Sequence, residues 1–193
     1  MTTTWWWVRH GPTHEKSFVG WRDVPADLSD QGQIDRLHAY LPEDALVISS
    51  DLSRATATAD AISSGRTRLP HSVALREFNF GAWDGLRFDQ VALRDPELSR
   101  TFWESPGDIA PPNGESWNDV ATRITPVVEA MNNRYHGRHI IAVAHIGVIM
   151  TQIQMAQRSS PTQALGYQID NFSVTKLVWD AEKWAVDCIN HVT

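Results

Sequence analysis

The chain has 193 residues, 42% of them hydrophobic and 21% charged, a balance that suits one soluble domain with a full core and excludes disordered and fibrous classes. A formal net charge of -6 disfavours nucleic acid as a general partner, and it means that an anionic ligand must be drawn by a local cationic pocket. The single cysteine, Cys188, excludes an intramolecular disulfide and a thiolate zinc site, and no run approaches the roughly 18 to 20 apolar residues that span a bilayer, so no membrane partner is expected.

The N-terminus lacks the basic start and long apolar middle of a secretory signal, which makes the cytoplasm the expected location. Residues 4–8 read as a strand in which alternation puts Trp5 and Trp7 on one face and Trp6 and Val8 on the other. Both faces are apolar, so both must be covered, which implies helices above and below a largely parallel sheet. Ser29 is predicted to cap a helix carrying Ile34, Leu37 and Leu41 and ending before Pro42. Residues 45–49 form a second buried strand, and 51–63, rich in alanine and threonine, a helix stopped at Gly65.

A weaker strand is predicted over 71–75. Residues 86–115 carry Pro96, Pro106, Pro111 and Pro112 among Phe88, Phe102 and Trp103. Prolines break helices and sheets alike, so this stretch reads as a substrate-covering insertion within a single domain spanning 1–193. Ser116 and Asp119 resemble a capping box for a helix with Val120, Ile124, Val127, Val128 and Met131, which Pro126 should kink. A strand over 139–144 runs into His145 and a helix over 146–157, and 172–179 with 183–189 form a terminal hairpin or edge extension.

Three apolar strands thus end in polar residues: Val8 leads to Arg9 and His10, Ile48 to Ser49, Ser50 and Arg54, and Ala144 to His145. In a parallel sheet these carboxyl ends lie along one edge, where open α/β sheets bind ligands. Two histidines and two arginines can converge there. Donors without an acidic partner at the strand ends suit a phosphoryl group, whose oxygens only accept, and the arginine fork matches two of them.

These residues and further motifs in order resemble the histidine phosphatase superfamily, the phosphoglycerate mutase-like proteins. The blocks are Arg9-His10-Gly11-Pro12-Thr13; Gly20-Trp21 with Asp23, Leu28 and Gly32; Ser50-Asp51-Leu52-Ser53-Arg54-Ala55 with Thr58-Ala59; Leu75-Arg76-Glu77 with Phe80-Gly81 and Trp83-Asp84-Gly85; Pro112-Asn113-Gly114-Glu115-Ser116; and Ala144-His145 with Gly147-Val148-Ile149. The resemblance implies an α/β three-layer sandwich with a mostly parallel central sheet. It implies that His10 attacks phosphorus, that Arg9, Arg54 and His145 hold the phosphoryl oxygens, and that Glu77 protonates the leaving oxygen and then deprotonates the attacking water. Thr13, Lys16, Gly20, Trp21 and Ile146 are expected around the substrate.

Attack requires a neutral imidazole, which flanking guanidinium groups favour. Glu77 must instead hold a proton near neutral pH; burial beside Phe78 and Phe80 raises its pKa and nearby arginines oppose the rise. Because arginines supply the positive charge, no metal and no cofactor is expected. His14, His38, His71, His136, His139 and His191 show no metal-ligand spacing, and only His14 lies in the active loop.

Four positions depart from the family pattern. Lys16 stands where mutases place an asparagine, Ile146 where a small residue is usual, Asn113 where a glycine is common, and Met150 where an arginine often follows Gly-Val-Ile. Asparagine tolerates the left-handed backbone, so the turn at 113 can persist. The stretch between Glu77 and His145 is too short for the insertion of cofactor-dependent mutases, and its Pro-Pro-Asn-Gly-Glu-Ser block resembles that of small-molecule phosphatases. A phosphomonoesterase acting on a small phosphorylated metabolite is therefore expected ahead of a mutase or a non-catalytic phospho-ligand-binding relative. Trp83, Trp103 and Trp117 near the cover are candidates to stack on a ring, with packing as the commoner role. The oligomeric state is left open, a homodimer included.

Overall fold

The computed structural model describes residues 1–193, and its organising strand is β1 (Thr3–Arg9), buried along all but its last residue. It pairs in parallel with β4 (His139–Ala144), which pairs in parallel with β2 (Ala45–Ser49), which in turn pairs with the two-residue β3 (Thr67–Arg68). On its other side β1 pairs antiparallel with β5 (Val174–Trp179), and β6 (Trp184–His191) closes that edge as the second arm of the expected hairpin. The six-stranded order is β3-β2-β4-β1-β5-β6.

Strand alternation divides the core in two. Trp5, Trp7, Ile140, Ala142 and Ala144 pack on one side with residues of α5 (Trp117–Arg134) and α6 (Ile146–Gln157). Trp6, Val8, Ile141 and Val143 pack on the other with α1 (Gln31–Tyr40) and α2 (Ser53–Ala61). The three-layer α/β sandwich follows directly from that double-sided burial. Trp5 and Trp7 stack at 5.1 Å, and the Trp5 indole N–H donates to Asn132 Oδ1 at 2.8 Å. Burying one indole removes roughly 150–250 Å² from water, at most about 4 to 6 kcal/mol at about 25 cal/mol per Å². No helix is long and apolar enough to cross a membrane.

Several predicted boundaries shift for local reasons. Asp30, not Ser29, caps α1: its carboxylate accepts from Gln33 N at 2.9 Å, while the Ser29 N–H is held by Asp27. The strand expected over 71–75 is a short 3-10 turn, Val73–Leu75, and pairing with β2 falls instead on Thr67 and Arg68, before Pro70. Residues 86–115 are more regular than their prolines suggest, since α3 (Phe88–Arg94) and α4 (Pro96–Glu104) occupy most of the first half. Pro96 takes the first position of α4, where a missing N–H costs nothing. Val91 and Phe102 enter the core, so this stretch is partly a core element. Ser116 and Asp119 form the reciprocal capping box of α5, which continues through Pro126.

Candidate active site

Register brings the strand ends together. Arg9 lies opposite Ala144 and Val143 opposite Ser49, so β1, β4 and β2 end side by side, and the His10 N–H extends the ladder to Ala144 O at 3.1 Å. His10 Nδ1 lies 2.7 Å from Gly11 O. A carbonyl only accepts, so Nδ1 carries the ring proton and Nε2 keeps its lone pair. Burial, then Arg54 and Arg9, lower the His10 pKa to about 3 against the opposing Gly11 hydrogen bond. The ring is neutral at physiological pH.

His145, fully buried, meets His10 edge-on with ring centroids 5.0 Å apart. Arg54 Nε donates to His145 Nδ1 at 3.3 Å, which puts the remaining proton on Nε2, a buried donor with no protein partner. Burial, with His10 and Arg54 adding like charge, holds His145 well below the usual histidine range. Arg54 itself, at the start of α2, is anchored by donation to Gly20 O at 2.7 Å and Arg22 O at 3.1 Å. Arg9 donates to Ile169 O at 2.6 Å, and its Nε is buried without a partner.

Glu77 follows the 3-10 turn, and its backbone carbonyl is held by Trp21 Nε1 at 2.8 Å and Arg123 Nη2 at 3.2 Å. Its carboxylate accepts from Phe78 N at 2.9 Å and from Gly147 N, at the start of α6, at 3.3 Å. Burial raises the Glu77 pKa, outweighing these hydrogen bonds and the charges of Arg54 and Arg9. Of the two influences opposed at the sequence level, burial is the larger, and it shifts Glu77 toward its protonated form. Gly147 is required by contact: a Cβ there would lie 2.5 Å from Glu77 Oε1 and collide with the Phe78 ring.

Arg9, His10, Arg54 and Glu77 line one cavity of about 360 Å³, with His145 packed against His10. Thr13 and Ile146 also lie on its wall, and Met150 forms part of it as its position implied. Three residues expected around the substrate do not line the cavity. Lys16 is exposed on the loop; the Gly20 carbonyl is taken up by Arg54; and the Trp21 indole N–H is committed to Glu77 O. Gly20 and Trp21 thus hold Arg54 and Glu77 through these hydrogen bonds. His14, at φ +58, pairs with Asp27 at 2.8 Å on the surface and is off the wall. Trp103 and Trp117 line the cavity, whereas Trp83 is wholly buried with its N–H on Asp95. Asn113 adopts φ +60, the left-handed turn anticipated for it.

The segment after α7 (Pro161–Leu165) supplies contacts that no local motif announced. Asn171 Nδ2 donates to His10 O at 2.8 Å, and Phe172 N donates to Arg9 O at 2.9 Å. Phe172 sits at φ +60, costly for an aromatic residue, and its ring covers Gly11 so closely that a Cβ there would lie 2.7 Å away. Sequence separation of 161 residues hides this clamp from pattern reading. No three His, Cys, Asp or Glu side chains are grouped to hold a metal ion.

A model of the histidine phosphatase superfamily (branch 1) matches residues 5–192. The bifunctional protein Rv2228c of Mycobacterium tuberculosis is 36% identical over 144 residues, which cover 72% of this chain and 36% of that protein. The chain thus spans about a third of the length of that relative. The 2,3-bisphosphoglycerate-dependent phosphoglycerate mutase of Afipia carboxidovorans is 31% identical over 82% of this chain and 83% of its own. Among solved structures, mycobacterial glucosyl-3-phosphoglycerate phosphatase Rv2419c superposes with a TM-score of 0.86 at 25% identity, covering 98% of this chain and 99% of that one.

Proposed function

The chain belongs to the histidine phosphatase superfamily, and on that premise we propose that it is a phosphomonoesterase working through a phosphohistidine. The observation that carries this is the pairing of a neutral His10, its Nε2 lone pair free, with a buried Glu77 whose pKa is raised by that burial, in the same cavity. Two groups with opposed protonation requirements each sit in an environment that shifts it toward its own.

In the first step the His10 Nε2 lone pair attacks phosphorus, the ester P–O bond breaks, and Glu77 gives its proton to the departing alkoxide. In the second, water attacks phosphorus while passing a proton to the Glu77 carboxylate, and the N–P bond breaks to restore His10 and release inorganic phosphate. Arg9, Arg54 and the Nε2–H of His145 stabilise the equatorial oxygens; the partnerless Arg9 Nε and His145 Nε2 are donors in search of an acceptor. The cationic work is done by side chains, so we propose turnover without a metal.

Likeness to bisphosphoglycerate-dependent mutases supports a second reading, phosphoryl transfer between positions of one substrate. Against it, Arg9 and Arg54 are the only cationic side chains on the cavity wall, and a bisphosphorylated intermediate needs cations for both groups. The test is phosphate release from a panel of phosphomonoesters, in chelator, by wild type and His10→Ala. Release by wild type that the variant loses is expected. Release surviving in the variant removes His10 as nucleophile, isomerisation without net phosphate favours the mutase, and a requirement for added divalent metal overturns the metal-free mechanism.

A further inference from the structure

Beyond the phosphoryl end, the cavity wall is built from aromatic and aliphatic side chains. Phe18 is central: its ring stacks on Trp103 at 6.0 Å with the planes 13° apart, and Phe88 packs on it at 4.4 Å. Phe88 remains 62% exposed, an aromatic residue held at the cavity wall instead of in the core. Trp117, Met150 and Leu165 continue the wall.

The charges point the same way. Arg9 and Arg54 are the wall's only cations, and Lys16 does not line the cavity. The one other acidic wall residue besides Glu77 is Glu15, already paired with Arg22 at 2.9 Å, so a second anionic group on a ligand would meet a carboxylate and no free cation. A carboxylate drawn into this space would shed water without a partner, whereas a ring would bury apolar area against flat faces.

We propose that this wall is a leaving-group subsite for a ring-bearing, apolar alcohol, making the substrate an aryl or similar phosphomonoester without a second anionic group. This rests on the hydrolytic reading above. Phe18, Phe88 and Trp103 set the specificity, and Met150 excludes the cation that a phosphorylated acid would require.

The test compares kcat/KM for 2-naphthyl phosphate with that for 3-phosphoglycerate and phosphoserine, in wild type, Phe88→Ala and Met150→Arg. Alongside it, calorimetry compares two non-hydrolysable probes, benzylphosphonate and 3-phosphonopropionate. The expected preference for the naphthyl ester is on the order of 100-fold or more, since single apolar contacts already discriminate about 10- to 200-fold. Phe88→Ala should cut that ratio about tenfold, and Met150→Arg should shift it toward the carboxylate-bearing esters by a similar factor. Hydrolysis with no ring preference, or with phosphoglycerate preferred, overturns the subsite while leaving the phosphatase reading intact. If no ester is hydrolysed, the phosphatase reading fails. Tighter benzylphosphonate then still supports the subsite, and tighter 3-phosphonopropionate overturns it as well.

Discussion

Replacing Glu77 by glutamine separates proton transfer from every other role of that side chain. Glutamine keeps the size, and its carbonyl can still accept from Phe78 N, the 2.9 Å bond; its amide then opposes Gly147 N–H, so the 3.3 Å bond is lost. One lost hydrogen bond costs about 1 kcal/mol, so Glu77→Gln should fold. What it cannot do is donate a carboxyl proton, and general acid catalysis contributes about 10²- to 10⁴-fold, or roughly 3 to 5 kcal/mol of barrier. That loss should depend on the leaving group. An alkyl phosphate, whose alkoxide is strongly basic, should lose the full factor in its first step, and p-nitrophenyl phosphate, whose phenolate leaves without help, should lose far less. Steady-state kcat/KM for the two esters, measured across pH, is the assay. In wild type the alkyl ester should slow as pH rises through the raised pKa of Glu77, because the protonated form is the active one. In the variant that alkaline limb should vanish. Equal losses for both esters, or an alkaline limb that persists in Glu77→Gln, would refute the general acid assignment.

The lowered His10 pKa also predicts a stability profile. Because the ring titrates near 6.5 when unfolded and at about 3 when folded, the unfolded chain takes up the proton first as pH falls. Stability should therefore decline through that window, and His10→Asn should flatten the decline in urea titrations at stepped pH; an unchanged slope would contradict the burial of a neutral ring. Gly147→Ala should lower the melting temperature by several degrees, at about 1 to 3 kcal/mol for overpacking, and depress kcat sharply in the folded protein, since the methyl displaces Glu77 or Phe78; full activity would show that the carboxyl position is not critical. Trp5→Phe should cost about 1 to 3 kcal/mol in urea unfolding by stranding the buried Asn132 amide, and a smaller loss than Trp6→Phe would contradict that pairing.

Much of this arrangement is legible in the amino-acid order because it rests on periodicity and on strand ends. The alternation of Trp5, Trp6, Trp7 and Val8 predicts two buried sheet faces, and the two core clusters divide along that alternation. Arg9, His10, Arg54 and His145 each follow an apolar run, so a parallel register suffices to bring them together. What pattern cannot convey is where a loop residue points. Lys16 and Thr13 stand three positions apart in one loop, and only Thr13 reaches the cavity. Gly20 and Trp21 fall in a matching motif yet serve Arg54 and Glu77 through backbone carbonyls, contacts that depend on tertiary placement. The prolines of 86–115 mislead for a positional reason, since Pro96 begins a helix instead of breaking one. Asn171 and Phe172 arrive from the far end of the chain to hold the carbonyls of His10 and Arg9, and no local signal marks them.

The phosphoenzyme itself tests the nucleophile most directly. Wild-type protein mixed with a labelled phosphomonoester and quenched within one turnover should carry one label, lost in acid and retained in base, mapping to the peptide that contains His10 and absent from His10→Ala. Acid-stable label, label on another residue, or label retained by His10→Ala would contradict a phosphohistidine at that position.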